Sequence, residues 1–204
     1  MLSDRSIVNS KRKELAIALA EKGLPVIPLK YRGKIPAIKE WQKKTETTVA
    51  EADKWFAGNP AQNLGLVLGN NSDIVAIDVD GEGGADMLER MSSGILPDTV
   101  TYTTGGGGMR YLYKIPKAYK GTPFKKYAES DPTTPHTECA LMGDGQQTVL
   151  PYSVYDNGNL YKFCDNKSFE DIEVAEAPKW MIDKMAKVAL HTKQEEETDR
   201  KSVV

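Results

Sequence analysis

Ile74-Val75-Ala76-Ile77-Asp78-Val79-Asp80-Gly81 is the stretch on which the reading of this chain turns. A β-branched apolar run ends in two carboxylates spaced two residues apart. β-branched residues suit a pleated strand, and side chains at i and i+2 leave a strand on the same face. Asp78 and Asp80 are therefore expected to point together, roughly 7 Å apart along the strand. Paired carboxylates at a strand end suit hard divalent cations, which prefer oxygen ligands. The chemistry this suggests is metal-dependent and acts on phosphate.

Two other readings of the same residues stay open. Asp80-Gly81 can simply be a turn, with Asp80 capping the next helix. Alternatively, Asp78, Asp80, Glu82, Gly83 and Glu89 occupy positions 1, 3, 5, 6 and 12 of a calcium-binding loop, although that loop requires an entering helix where this chain has a strand.

Outward from this segment, Asn63 to Leu68 and Ile74 to Val79 read as buried strands with an Asn/Gly turn between them. Gly84 to Met91 reads as a helix. Further upstream, residues 11 to 22 form a helix stopped by Gly23, and Leu24 to Leu29 form a short strand whose prolines suit an edge. Thr48-Val49-Ala50-Glu51 fits a capping box opening a helix that carries Trp55. Trp41 and Trp55 are read as core residues.

Downstream, strands at Thr99 to Thr104 and Met109 to Lys114 flank four glycines, Gly105 to Gly108. Glycines let a backbone approach a ligand closely, and their N–H groups can cup an anion. Alternation places Arg110 and Lys114 on one strand face, a cationic wall suited to phosphate. Residues 115 to 135 read as an irregular loop whose lysines, with Lys114, Lys117, Lys120, Lys125 and Lys126 as candidates, can track a DNA backbone or simply be solvated. Strands follow at 137–142, 147–150 and 159–163, the last entered through the turn Asp156-Asn157-Gly158-Asn159. A helix spans Pro178 to Leu190. Residues 191–204 are polar and read as a disordered linker. Strands and helices mix without strict βαβ alternation, which makes the class α+β.

Composition narrows the possibilities. The chain has 204 residues, 40% of them hydrophobic and 27% charged, with a formal net charge of −2. Nucleic-acid binding would therefore need a local basic patch. Cys139 and Cys164, with at most one His near them, make neither a disulfide framework nor a zinc site, so a reducing cytoplasm is the default. No apolar run approaches the roughly 20 residues of a membrane span, and the N-terminus lacks a signal-peptide core.

The order of motifs is more specific than any one of them. VIPL, GKIP with Trp41-Gln42, NLGLVLG, IDVD, TGGGGMRYLYK and GDGQQTVLPYS followed by NGNLYKF together resemble the bifunctional DNA primase/polymerase (prim-pol) domain of the archaeo-eukaryotic primase superfamily. The resemblance runs from about Leu15 to Phe163. It implies an α+β domain over 1–190 with a modified RNA-recognition-like catalytic sheet, and a tail over 191–204 leading to a further module such as a helicase. It implies a nucleotidyltransferase using single-stranded DNA template and NTP or dNTP, in the cytoplasm of a bacterial or archaeal cell and encoded by a plasmid, phage or prophage.

The resemblance also assigns roles. Asp78 and Asp80, with Glu138 as third acid, would hold two Mg²⁺ or Mn²⁺ ions. Arg110, with Gly106, Gly107 and Gly108, would hold the triphosphate. Lys34 and Lys114 would be further phosphate or template contacts. Two positions depart from the family pattern. Arg110 stands where the family has a nucleotide-binding His. Ala140 stands where its third acid is expected, so Glu138 is the candidate and Asp144 the fallback. These departures keep a second reading open, a degenerate prim-pol fold that binds nucleic acid or nucleotide without synthesis. A third is another metal-dependent enzyme such as a nuclease.

Overall fold

The computed structural model describes residues 4–134 and 136–188. The chain is α+β, as the mixed pattern predicts. In order it runs α1 (Asp4–Glu21), β1 (Val26–Leu29), α2 (Val49–Gly58), β2 (Asn63–Val67), β3 (Ile74–Asp80), α3 (Gly84–Ser92), β4 (Thr101–Thr103), β5 (Met109–Lys114), β6 (Tyr127–Ser130), β7 (Glu138–Met142), β8 (Gln147–Val149) and β9 (Lys162–Phe163). A last helix, α4, covers 179–188. Short 3₁₀ turns occur at Trp41–Lys43 and Lys117–Tyr119.

Six strands form one sheet in the order β6-β7-β3-β5-β4-β9, and three form another in the order β1-β2-β8, all antiparallel. The decisive segment, β3, lies inside the larger sheet between β5 and β7. A two-residue side-chain period then divides the core in two. Val75, Ile77 and Val79 face Met87, Leu88 and Met91 of α3 and Met181, Ile182 and Met185 of α4. Ile74 and Ala76 face the other way, into a core shared with the smaller sheet and with Ala16, Leu19, Ala52 and Phe56 of α1 and α2. Asp78 and Asp80 continue this second face and are only half-buried.

Local chemistry explains most boundaries. Thr48 and Glu51 form the expected capping box: Thr48 Oγ1 accepts from Glu51 N, and Glu51 Oε2 accepts from Thr48 N. The Thr48 backbone bond, ahead of Lys44, holds the Glu51 carboxyl below its ordinary range. This contribution is present above the unfolded carboxylate pKa and is lost as pH falls through the lowered folded value. Thr48→Ala is expected to cost about 1 kcal/mol at pH 7 and less at pH 3, measured by urea denaturation at the two pH values. Pro28 sits in β1, an edge strand of the smaller sheet, where its missing N–H costs no ladder bond; its carbonyl accepts from Ala37 N at 2.9 Å. Trp41 and Trp55 pack on the rim of the core, half-buried.

Several expectations are corrected. Helix α1 begins at Asp4, a full seven residues before position 11. β2 and β3 are the two buried strands expected, with a turn between them, and they belong to different sheets, Gly69 and Ile74 being bridged. The segment read as a loop over 115–135 contains β6, an edge strand with few apolar residues to betray it. The strands expected at 137–142 and 147–150 are present as β7 and β8, β7 joining β3 and β8 joining β2. The calcium-loop alternative falls because β3, not a helix, enters it. The helix expected over 178–190 is described through 188, and the tail at 191–204 lies outside the described residues. No described helix is long and apolar enough to cross a membrane.

Candidate active site

The three acids stand on neighbouring strands at the Asp80 end of β3. Register places Arg110 of β5 on one side of Asp78 and Ala140 of β7 on the other. Glu138 stands directly opposite Asp80. Cross-strand partners share a face, so Asp78, Asp80 and Glu138 point the same way. Asp144, the fallback acid, is excluded. Its carboxylate accepts from Asn70 N at 2.8 Å and Phe124 N at 2.7 Å, fixing loops at the opposite end of β3.

Asp78 is the most constrained of the three. Its side chain is 17% exposed, and Oδ1 lies 2.7 Å from Nη2 of Arg110, itself 7% exposed. The approach is a charge contact without hydrogen-bond alignment, since Asp78 Oδ1 and Arg110 Nε are both buried without hydrogen-bond partners. Burial pushes the Asp78 carboxyl above its ordinary range, against the opposing pull of Arg110; Asp80 and Glu138 add to the rise and Lys34 opposes it. Ionising Asp78 therefore costs the fold, and that cost grows as pH rises from the ordinary carboxylate range and is complete above the raised value.

Arg110 is expected at the phosphates. Instead it is committed to the protein interior. Nη1 donates to Thr148 Oγ1 at 3.0 Å and lies 3.0 Å from Met142 Sδ. Thr148 in turn meets the Tyr102 hydroxyl at 2.9 Å, and that hydroxyl donates to the Val149 carbonyl. Thr148, Met142 and Tyr102 were not legible as site residues, because their contacts with Arg110 and with one another span long stretches of chain. Lys114 is also corrected. It stands opposite Ile74, four residues before Asp78 and so roughly 13 Å away along the strand, and it faces Glu173 at 3.6 Å. A cleft of about 880 Å³ opens at that far end, lined by lysines and acids together, and contains none of the three carboxylates.

The remaining candidates lie close to the acids. Lys34 contributes to the field at Asp78, and its ammonium stands 5.5 Å from the Tyr155 ring centre. Glu138 currently faces Lys126, at 2.9 Å. Lys120 is likewise paired, with Asp73, so three of the five lysines named for a DNA track already face carboxylates. Gly106 and Gly107 are exposed. The amides of Gly107 and Gly108 are used inside the turn, donating to the Thr104 carbonyl at 3.0 Å and to Thr104 Oγ1 at 3.0 Å.

Gly108 has a different role from the anion cradle expected of it. A Cβ there would lie 2.2 Å from Asp80 Oδ1 and 2.4 Å from the Val79 carbonyl. The strand backbone cannot give way, so Gly108→Ala is expected to destabilise by about 1–3 kcal/mol and displace Asp80. Gly106→Ala, with no contact closer than 3.8 Å, is the control and stays near the parent. Thermal denaturation of both variants checks this.

Among the described residues no three His, Cys, Asp or Glu side chains converge closely enough to hold a cation as they stand. The donor set nevertheless fits a hard divalent ion. Asp78 offers a desolvated carboxylate whose Oδ1 meets the Arg110 charge without an aligned hydrogen bond, Asp80 shares its face, and Glu138 stands on that face too, its carboxylate turned to Lys126.

A family model described as bifunctional DNA primase/polymerase, N-terminal, matches residues 16–180. No curated protein matches the chain.

Proposed function

Since the chain belongs to the bifunctional DNA primase/polymerase family, we propose that it performs template-directed nucleotidyl transfer at the open end of β3. The observation that carries this reading is the single sheet face shared by Asp78, Asp80 and Glu138. These residues would hold Mg²⁺ or Mn²⁺. When bound, such an ion acidifies an attacking 3′-hydroxyl and neutralises triphosphate charge. Asp78 brings a carboxylate whose burial cost a cation would relieve. Lys34 and the exposed Gly106-Gly107 turn flank the face and would meet the triphosphate. Single-stranded DNA is the proposed template and NTP or dNTP the substrate. A helicase module in the full-length protein and a plasmid or phage setting belong to the same proposal.

A second reading, binding without synthesis, draws on Arg110 and Ala140 flanking Asp78 where the family pattern has a His and an acid. One assay separates the two. The chain is incubated with primed and unprimed single-stranded templates, dNTPs or NTPs, and Mn²⁺ or Mg²⁺. Extension or primer synthesis supports the enzyme. DNA binding without product at high protein concentration favours the binding module, and template cleavage favours a nuclease.

A further inference from the structure

We infer that the loop after β1, residues 30–35, forms with Arg5 and Tyr155 the track along which single-stranded DNA template reaches the acids. It rests on the reading of Asp78, Asp80 and Glu138 as the reacting centre and names the surface that delivers the template there.

A chain with a formal net charge of −2 needs a local set of free cations to hold a phosphate backbone. Lys30-Tyr31-Arg32-Gly33-Lys34-Ile35 interleaves cations with an aromatic ring. Lys30, Tyr31, Arg32 and Lys34 are exposed, and Arg5 of α1 adds a further cation, its guanidinium 5.3 Å from the Tyr31 ring centre. Among the described residues Arg5, Lys30, Arg32 and Lys34 form no ion pair. Asp156, on the turn beside Arg32, is exposed and makes none either. Lys114, Lys120 and Lys126, by contrast, already face Glu173, Asp73 and Glu138.

The loop is held through its backbone, which leaves these side chains to a ligand. Lys30 N donates to the Ile35 carbonyl at 2.8 Å, Asn63 Nδ2 to the Gly33 carbonyl at 3.1 Å, and Gln147 Nε2 to the Lys34 carbonyl at 2.8 Å. The surface runs on to the acids. A Cβ built on Gly158 would stand 3.0 Å from Arg32 Nη2, which puts the guanidinium against the turn that follows Tyr155. The Lys34 ammonium lies 5.5 Å from the Tyr155 ring centre. Tyr155 packs against Gly105, and the same glycine turn packs through Gly108 against Asp80.

Cations set among aromatic rings suit a single strand: the cations follow the phosphates, and unpaired bases stack on the rings. Tyr31, 45% exposed, offers such a ring. A duplex has no unpaired base to place on it.

The test is fluorescence anisotropy of the intact chain with a labelled oligo-dT over a salt series, without nucleotide or divalent ion. The parent binds, and log affinity falls linearly with log salt. Arg5→Gln/Arg32→Gln weakens binding and flattens that slope by about 1.4, since each phosphate contact to a single strand contributes about 0.7. Tyr31→Ala weakens binding about fivefold or more, and Tyr31→Trp restores it. Lys117→Gln/Lys125→Gln, in the rival loop at 115–135, keeps the parent slope. A parent slope that survives Arg5→Gln/Arg32→Gln, or that falls with Lys117→Gln/Lys125→Gln instead, overturns the inference and leaves the reacting centre standing. Tighter binding of the matching duplex than of the single strand also overturns it. A parent that binds no oligonucleotide overturns the template-directed reading itself, a separate and recognisable failure. Circular dichroism establishes that each variant is folded. If the double variant does not fold, Arg32→Gln alone replaces it, with an expected flattening of about 0.7.

Discussion

Asp80→Ala is expected to lower template-dependent extension by about 10²–10³-fold or more while changing folding stability by about 1 kcal/mol or less. Asp80 ends β3 on the half-exposed part of its face, and its removal strands no buried charge. Asp78→Ala is expected to lose the same activity but to fail differently. It leaves Arg110, 7% exposed, without its counter-charge. Removing one partner of a buried pair costs about 3–5 kcal/mol. The double variant Asp78→Ala/Arg110→Met should therefore recover most of the stability and none of the activity. Extension assays beside urea denaturation read both quantities. If Asp80→Ala extends primers at the parent rate, the reacting centre is elsewhere. If Asp78→Ala is as stable as the parent, the ion pair does not carry the weight assigned to it.

The largest effect on stability alone is expected at Arg12, far from the acids in sequence. This α1 residue is fully buried. Its guanidinium donates to the carbonyls of Tyr152 (2.8 and 2.5 Å), Pro60 (2.9 Å) and Gln62 (2.9 Å), and to Asn9 Oδ1 at 3.1 Å. Burial lowers its pKa to about 10, so it remains charged at neutral pH. It ties the first helix to the loops after α2 and after β8. Arg12→Ala strands three carbonyls at about 1–3 kcal/mol each, and an overall loss of about 4 kcal/mol is expected. Arg12→Met restores packing volume but no donors, so it should recover only a minor part. Equilibrium unfolding in urea measures the series. A loss under about 1 kcal/mol for Arg12→Ala would show that water replaces the guanidinium at those carbonyls.

Arg12 also shows where sequence reading fails. Among KRKELAIALAEK it is one cation in a helix with several, and nothing local separates it from its solvated neighbours. The carbonyls it donates to lie 48 to 140 residues away. The same limit applies to β6 and to the pairing of β8. Short strands with weak patterning acquire their identity from the strand they join. By contrast β3, α2 and the glycine hairpin were readable because their signals are local: a run of β-branched residues, a capping box, and glycines between alternating strands.

Parity along β3 puts Asp78 and Asp80 on one face, and parity along β7 puts Glu138 on the face of Ala140, where the family resemblance expects an acid. A backbone period of two residues is a local property, so sequence alone determined it. Which residues stand beside that face was decided only by tertiary structure. The register of β5 set Arg110 against Asp78, and the end of the smaller sheet brought Thr148 over it. The physical reason is desolvation. Arg110 is a phosphate-binding candidate in water and becomes the counter-ion of Asp78 only once strands distant in sequence close over it and exclude solvent.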